Sequence, residues 1–450
     1  MPAHRNPPSS AIATPRLIAQ CLSLCYNASM RMRVDKIIYT GKSLGRVEGK
    51  VVMADEGIPG ETIEVSPVRS KKNYVEAKTD AVIEAAPGRI RPRCGHYRTC
   101  SPYQYMEYGL QLKIKSGQAE EALSHHLKIR HEGITIRPSP QVWHYRNRAR
   151  FRLVYSTTGL TPAYHDQGPG NRLTEIDECF LVSQGLTALL KDLMTILTER
   201  KIGYAREVTV RENSDRTEQL MFLRGDEPLA YAEGMFRELT EKHPLAGLVY
   251  AAGSGEGHAV TKGMGHITET AAGKTFLLGA ESFFQVNTPA LELMIRDIED
   301  VLAGRRIGHM ADLYAGTGLF SIVFSSMAGR VTGIELEREN TAYFRKNAEI
   351  NKAGNVSVRE GDCYTRPDKF VPEKADVVFV DPPRRGIGPG MCKALLSRRP
   401  GMILYVSCEL STLVRDLQSL LGQYGLRQFF VYDFFPHTTH MEALAVLERL

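Results

Sequence analysis

Asp312-Leu313-Tyr314-Ala315-Gly316-Thr317-Gly318-Leu319-Phe320 is the stretch from which the fold of the chain is read. A strand is predicted over 309–314, running into two glycines that let backbone approach a ligand closely where a helix begins. A lone G-x-G says little. This one follows a strand, opens a helix at 318–327, and is followed by Val331-Thr332-Gly333-Ile334-Glu335. An acid about 20 positions on, ending the second strand, suits a ribose diol. The third position of a G-x-G-x-x-G would be Ser321, so the pattern points to an adenosine-containing cofactor and away from a dinucleotide.

Working outward, strands are predicted at 309–314, 331–335, 356–360, 376–380, 402–407, 427–432 and 443–449. Helices fall between them, clearest at 288–303, 318–327, 337–351 and 411–423. Such alternation indicates an α/β fold with helices on both faces of a largely parallel sheet. A seven-stranded sheet with its last strand reversed resembles the Rossmann-like class I S-adenosylmethionine methyltransferases, and Asp381-Pro382-Pro383-Arg384 after the fourth strand fits the same architecture. The fifth strand runs through Tyr405-Val406-Ser407 into Cys408. Most free cysteines are small buried hydrophobes. Cys408 instead falls at the strand's carboxyl end, where ligands of open α/β sheets bind. An antiparallel last strand beside the fifth would start at that mouth, so Glu442 and Cys408 are expected to converge there, with Asp381 alongside.

Composition bounds the rest. With 43% hydrophobic and 24% charged residues, the 450-residue chain reads as an ordinary soluble globular protein of several domains. A net charge of +6 is a mild basic bias compatible with nucleic acid. Eight cysteines are too sparse for a disulfide scaffold and suit reduced thiols, hence a cytoplasmic location. No window approaches the about 18 apolar residues of a membrane span. Residues 1–29 read as a disordered leader and 30–88 as a small β-barrel, from short strands with Gly/Pro turns and scattered Lys and Arg. Residues 89–280 read as a strand-rich central RNA-binding domain and 281–450 as the catalytic domain. A helix is predicted over 106–131, with an apolar stripe of Leu110, Ile114, Ala122, Leu123 and Leu127, and it is expected to pack on the catalytic domain. Arg146, Arg148, Arg150 and Arg152 alternate, which places four cations on one strand face and suits phosphate contact. Trp143 and Tyr145 are readable either as base-stacking platforms or as core. Cys94, Cys100 and Cys179 form a thiol set of the kind that holds iron–sulfur clusters or zinc, with Tyr103 where a further ligand would stand.

These motifs together resemble the uracil-C5 RNA methyltransferases, a family with bacterial 23S rRNA and tRNA members. The resemblance runs from about residue 32 to 450. It is carried by Phe284-Gln285-Val286-Asn287, Asp312 to Phe320, Asp381 to Gly386, Tyr405 to Cys408 with Thr412 to Leu417, and Pro436 to Glu442. The barrel, through its Gly-rich start and the Gly57-Ile58-Pro59-Gly60-Glu61 turn, resembles the TRAM RNA-binding domain. The resemblance implies that Cys408 is the nucleophile and Glu442 the base. Gln285, Tyr314, Gly316, Gly318, Glu335, Asp362 and Asp381 would then meet S-adenosylmethionine. The implied substrate is RNA, rRNA ahead of tRNA, and a monomer is expected. The chemistry needs these residue types. Thiolate addition at C6 makes uracil C5 enolate-like, and a base must afterwards remove the C5 proton.

The sequence departs from the family pattern at three places. Glu409-Leu410 replaces Asn-Pro after the nucleophile, so Glu409 is expected to add negative charge beside the thiol. Leu319 replaces a common Asn in the glycine loop. The four-cysteine cluster set is reduced to three, so an intact iron–sulfur cluster is not expected. Cytosine C5 methylation and a non-catalytic RNA-binding assembly factor are the competing readings.

Overall fold

The structure is a computed structural model that describes residues 29–450 except 130–133, 135, 158, 166–171, 230 and 254–259. The leader expected over residues 1–29 thus lies, but for Ser29, outside the described residues, as does a Gly/Pro loop read from the sequence at 167–170. The chain divides into two compact units, Met1–Ile90 and Arg91–Leu450.

In the first unit, β1 (Met30–Ile37), β2 (Ser43–Val47), β3 (Lys50–Ala54), β4 (Thr62–Ser70) and β5 (Tyr74–Glu84) close a barrel in the order β1-β2-β3-β5-β4. Alternation along β1 puts Met32 and Val34 inside and Arg31, Arg33 and Asp35 outside. Gly45 is required where β2 crosses β1, since a Cβ there would lie 2.2 Å from the Arg33 carbonyl oxygen. Arg89 ties the end of the unit back to the barrel through Glu61 and Glu56.

The second unit carries two large sheets. β6 (Ile136–Arg137) belongs to the later one. The first comprises β7 (Arg148–Ser156), β8 (Gly159–His165), β9 (Leu173–Glu175), β10 (Ala205–Glu212), β11 (Gln219–Gly225), β12 (Leu245–Ala252) and β13 (Val260–Gly263), in the order β13-β12-β11-β10-β7-β8-β9. The helix Gln184–Glu199, capped by Ser183, lays Leu186, Leu189, Leu193 and Leu197 into this core. The hairpin β14 (His266–Ala271) and β15 (Lys274–Gly279) leads to the C-terminal half.

There β16 (Ile307–Leu313), β17 (Ala328–Glu335), β18 (Val356–Glu360), β19 (Val377–Val380), β20 (Met402–Ser407), β21 (Tyr424–Tyr432) and β22 (Glu442–Arg449) pair in the order β18-β17-β16-β19-β20-β22-β21-β6. The strands β16 to β20 are mutually parallel, and β22 is antiparallel to both neighbours. These are the seven strands read from the sequence, with one addition. β6 pairs with β21 through Val431 and Tyr432 alone, too short a segment to leave a periodic signal. The helix after the glycine loop is also shorter than read, Leu319–Val323, and closes in a 3-10 turn at Ser325–Met327.

The predicted helix at 106–131 forms over Tyr108–Ala122 and continues as a π turn over Leu123–Leu127. Of the expected apolar stripe only Leu123 is fully buried, and Leu110, Ile114, Ala122 and Leu127 are half-buried. Gln111, Lys115, Gln118 and Ala119 point inward, because the surface they meet, Asp433 to His437, is polar. Lys115 Nζ donates to Asp433 Oδ1 at 2.6 Å, both side chains fully buried, and to the Phe435 carbonyl at 3.1 Å. Among the described residues no helix is long and apolar enough to cross a membrane.

Candidate active site

A cleft of about 550 Å³ opens at the carboxyl ends of the parallel strands. Of the residues singled out in the sequence, Gln285, Tyr314, Gly316, Glu335, Asp362, Asp381, Cys408 and Glu442 all line it. Gly318 does not. With φ +93° it caps the helix behind the loop, and a Cβ there would meet the Phe344 ring at 2.6 Å. Its bare backbone serves helix packing rather than ligand approach.

The convergence of Cys408 and Glu442 is a matter of register. β20 and β22 pair Ser407 with Ala443 at the end of their ladder, and the same register carried one step further sets Cys408 opposite Glu442. Asp381 follows β19 on the other side of β20.

At the glycine loop, Glu335 Oε2 accepts from the Gly316 amide at 2.9 Å, and its Oε1 from the Glu337 amide at 2.8 Å. Oε1 also accepts from Asn340 Nδ2 at 3.4 Å, so the acid fixes the loop while Oε2 keeps capacity for a diol hydroxyl. Asp312, which sequence reading left without a role, accepts from the Ser321 amide and hydroxyl at 3.1 and 2.6 Å and ties the helix start to β16. Burial pushes its carboxyl up to about 7, against the Ser321 hydrogen bonds. Asp362 Oδ1 accepts from the Tyr364 and Thr365 amides. Burial would raise this carboxyl, but those bonds prevail and hold it below the usual range. Tyr314 sits at φ 68°, and its buried hydroxyl has no hydrogen-bond partner among the described residues.

At the other end of the cleft, Glu442 is 2% exposed, and burial, then Asp381, raise its carboxyl well above the usual range. Burial and then Asp312 push Asp381 up to about 7. The Cys408 thiol is pushed up to about 12 by burial, then by Glu442 and Asp381, with Arg384 opposing. Glu409 is not among these influences. Its carboxylate accepts from Ser411 Oγ at 2.7 Å. The carboxyls that bear on the thiol are therefore Glu442 and Asp381 rather than its sequence neighbour Glu409. His440, noted in the sequence only as part of the Pro436–Glu442 run, lines the same end. Its Nε2 accepts from Arg384 Nη2 at 3.4 Å, and burial followed by Arg384 lowers it to about 4, leaving a neutral imidazole.

The family described as tRNA (Uracil-5-)-methyltransferase matches residues 370–450, and that of RNA cap guanine-N2 methyltransferase matches 307–390. An RNA methyltransferase of Synechocystis is 30% identical over 94% of this chain and 96% of its own length. The chain belongs to the uracil-C5 RNA methyltransferase family. A second RNA methyltransferase, from Halalkalibacterium halodurans, is 27% identical over 94% of this chain and 97% of its own. In fold, the methyltransferase resembles the Pyrococcus abyssi tRNA (uracil-54, C5)-methyltransferase solved with S-adenosyl-L-homocysteine. The TM-score is 0.75 at 24% identity, over 93% of this chain and 99% of that one.

Away from the cleft, the cysteine set of this RNA methyltransferase does not fit a cluster. Cys94 and Cys100 Sγ each lie 3.7 Å from His96 Nδ1, and Gln104 Nε2 donates to Cys94 at 3.3 Å. Burial pushes the Cys100 thiol up to about 12. At the missing position, Tyr103 is fully buried and its hydroxyl accepts from Gln118. Among the described residues no group of three or more His, Cys, Asp or Glu is placed to hold a metal ion.

The arginine strand divides in two. Arg150 lies 3.6 Å from Glu207 and from Glu281, and Arg152 lies 3.5 Å from Glu207, its register partner on β10. For these two, protein carboxylates supply the counter-charge that the sequence reading assigned to phosphate. Arg146 is different. The groups acting on it besides burial are Tyr145, Tyr164 and Cys179, none a carboxylate, and its Nε has no partner among the described residues. The aromatic pair is packed. Trp143 stacks on His437 at 3.6 Å under the Arg93 guanidinium, and Tyr145 donates to the Pro436 carbonyl.

Proposed function

We propose that this RNA methyltransferase uses S-adenosylmethionine to methylate uracil C5 in structured RNA, with 23S rRNA as the first substrate to test and tRNA the second. The reading is carried by one observation, the opposition of Cys408 and Glu442 at the mouth of a cleft whose other end has a glycine loop and a ribose-type acid. The cleft suits the cofactor. A Cβ at Gly316 would meet nothing within 4 Å, so the loop leaves a cradle, and the orphaned Tyr314 hydroxyl lies in its wall. Gln285, Glu335 and Asp362 would hold the cofactor, which supplies an electrophilic methyl group and a sulfonium charge.

The protein's own residues then divide the proton work. The Cys408 thiol gives its proton to solvent and the thiolate adds to C6, and the electrons of the C5–C6 double bond pass into an enolate whose C5 is the nucleophile. Glu442, once ionised, takes the C5 proton after methyl transfer, and the thiolate leaves C6. Burial and mutual repulsion favour the protonated forms of Cys408 and Glu442 and raise Asp381 to about 7, with Arg384 the opposing charge. Arg146, a half-buried cation on which no carboxylate is among the main influences, adds support for a polyanionic substrate.

The test is incubation with S-adenosylmethionine and rRNA or tRNA carrying 5-fluorouridine, since fluorine cannot leave as a proton. A covalent protein–RNA adduct is expected, and Cys408→Ala abolishes it. Cofactor binding without an adduct on any rRNA or tRNA would establish the assembly-factor reading instead.

A further inference from the structure

The loop Asp381 to Ile387 carries both Asp381 and Arg384 into the cleft, yet it follows a strand of four residues and has no regular structure until the helix Gly388–Arg398. A loop that must aim charges needs an external frame. The helix Leu410–Leu420, which directly follows the nucleophile strand, supplies it. Asp416, 2% exposed on that helix, accepts at Oδ2 from the Ile387 amide at 2.9 Å and from the Tyr405 hydroxyl at 2.8 Å. Its Oδ1 takes two bonds from Arg415, whose Nη2 also donates to the Arg385 carbonyl at 2.9 Å. Thr412 Oγ1 donates to the Arg384 carbonyl at 3.0 Å. Gly386, at φ +74°, leaves the space the carboxylate fills, because a Cβ there would lie 2.4 Å from Asp416 Oδ2.

We infer that Asp416 is a positioning residue: through the Ile387 amide, Tyr405 and Arg415 it holds the Asp381–Ile387 loop so that Arg384 faces Cys408. Arg384 is the one cation among the charged and titratable groups that bear on the thiol. The others are Glu442 on β22 and Asp381 on the loop itself, while His440 is neutral beside Arg384. Asp416 touches none of the reacting atoms, and its own charge falls on Arg415, Tyr405, Cys392 and Tyr314, while the groups that bear on Cys408 are Glu442, Asp381 and Arg384.

That separation gives a test of sign. If Asp416 acted on Cys408 by its charge, Asp416→Asn would remove a negative neighbour and raise the thiolate fraction. If it acts by holding the loop, Asp416→Asn sets an amide donor against the Tyr405 and Ile387 donors or against Arg415, Arg384 swings away, and the thiolate fraction falls. The measurement is the rate of Cys408 carbamidomethylation by iodoacetamide at pH 8 in the full chain without RNA or S-adenosylmethionine, read on the Cys408 peptide by mass spectrometry. Loss of about half to one pKa unit of support makes Asp416→Asn about threefold to tenfold slower. Arg384→Ala is slowed equally, and the double variant no further. Tyr405→Phe, which keeps the carboxylate and its amide bond, is slowed less and carries the test if Asp416→Asn does not fold. Alkylation of Asp416→Asn at or above the parent rate, or slowing that multiplies in the double variant, overturns the inference. If neither Asp416→Asn nor Tyr405→Phe slows the reaction while Arg384→Ala does, the loop is held without Asp416 and the inference also fails. The inference rests on Cys408 as nucleophile, but the assay needs no methyl transfer, so its outcome is separate from a failure to methylate RNA.

Discussion

Replacing Lys115 by Met leaves Asp433 buried without its cation. The carboxylate's Oδ2 already lacks a hydrogen-bond partner among the described residues, and Lys115 supplies the bond at Oδ1. Removing one member of such a pair costs about 3–5 kcal/mol, because the survivor keeps its desolvation penalty. The lost bond to the Phe435 carbonyl adds little, since the Thr438 amide and hydroxyl still donate to that oxygen at 3.1 and 2.8 Å. At about 2–4 °C per kcal/mol for a large domain, Lys115→Met lowers Tm by roughly 6–20 °C. The double variant Lys115→Met/Asp433→Leu, which removes both charges, recovers most of the loss, as neutral replacements of buried pairs generally do. The assay is urea unfolding of the parent, the single and the double variant, with thermal scans beside it. A function readout belongs with it. The pair anchors the turn that leads through His440 to Glu442, so Lys115→Met also weakens 5-fluorouridine adduct formation. A single variant destabilised by less than about 1 kcal/mol, or a double variant as unstable as the single, would refute the claim that the pair acts as a mutually compensated unit.

Three further outcomes follow from the site. Glu442→Gln, which keeps the shape of the protonated carboxyl but cannot take the C5 proton, slows turnover by about 10²–10⁴-fold and traps a methylated covalent adduct on natural RNA, seen as a shifted band on a denaturing gel. Because Asp312 and Asp381 are raised to about 7, the folded state binds protons that the unfolded state has released above about pH 4; stability of the empty protein therefore falls as pH rises from about 4 to 7, and Asp381→Asn flattens that slope in denaturation series. Glu409→Gln leaves the alkylation rate of Cys408 within about twofold of the parent, since the carboxyls that bear on the thiol are Glu442 and Asp381.

The C-terminal sheet and the Cys408–Glu442 meeting were legible because each depends on local pattern. Apolar runs mark strands, a glycine loop marks their carboxyl edge, and one reversed strand brings its own start to that edge. What stayed hidden depends on distant partners. Lys115 and Asp433 are 318 positions apart, so the polar face of the Lys115 helix reads in sequence as an outer surface. Arg150 and Arg152 looked like unanswered charge because Glu207, their partner, stands on another strand. Asp416 was visible as part of a motif, but only the turn of Gly386 toward it shows what it holds. Glu409 misled in the opposite direction, being adjacent in sequence yet turned toward Ser411.

β22 is flanked on both sides, by β20 and β21. A slip of one residue would have to break two ladders together and would carry Glu442 to the opposite face of the sheet. The spacing of nucleophile and base is therefore written in a strand held on both edges, while the barrel and the central sheet take no part in that register. Lineages can remodel the outer parts to suit a different transcript and leave the bond-making chemistry in tune.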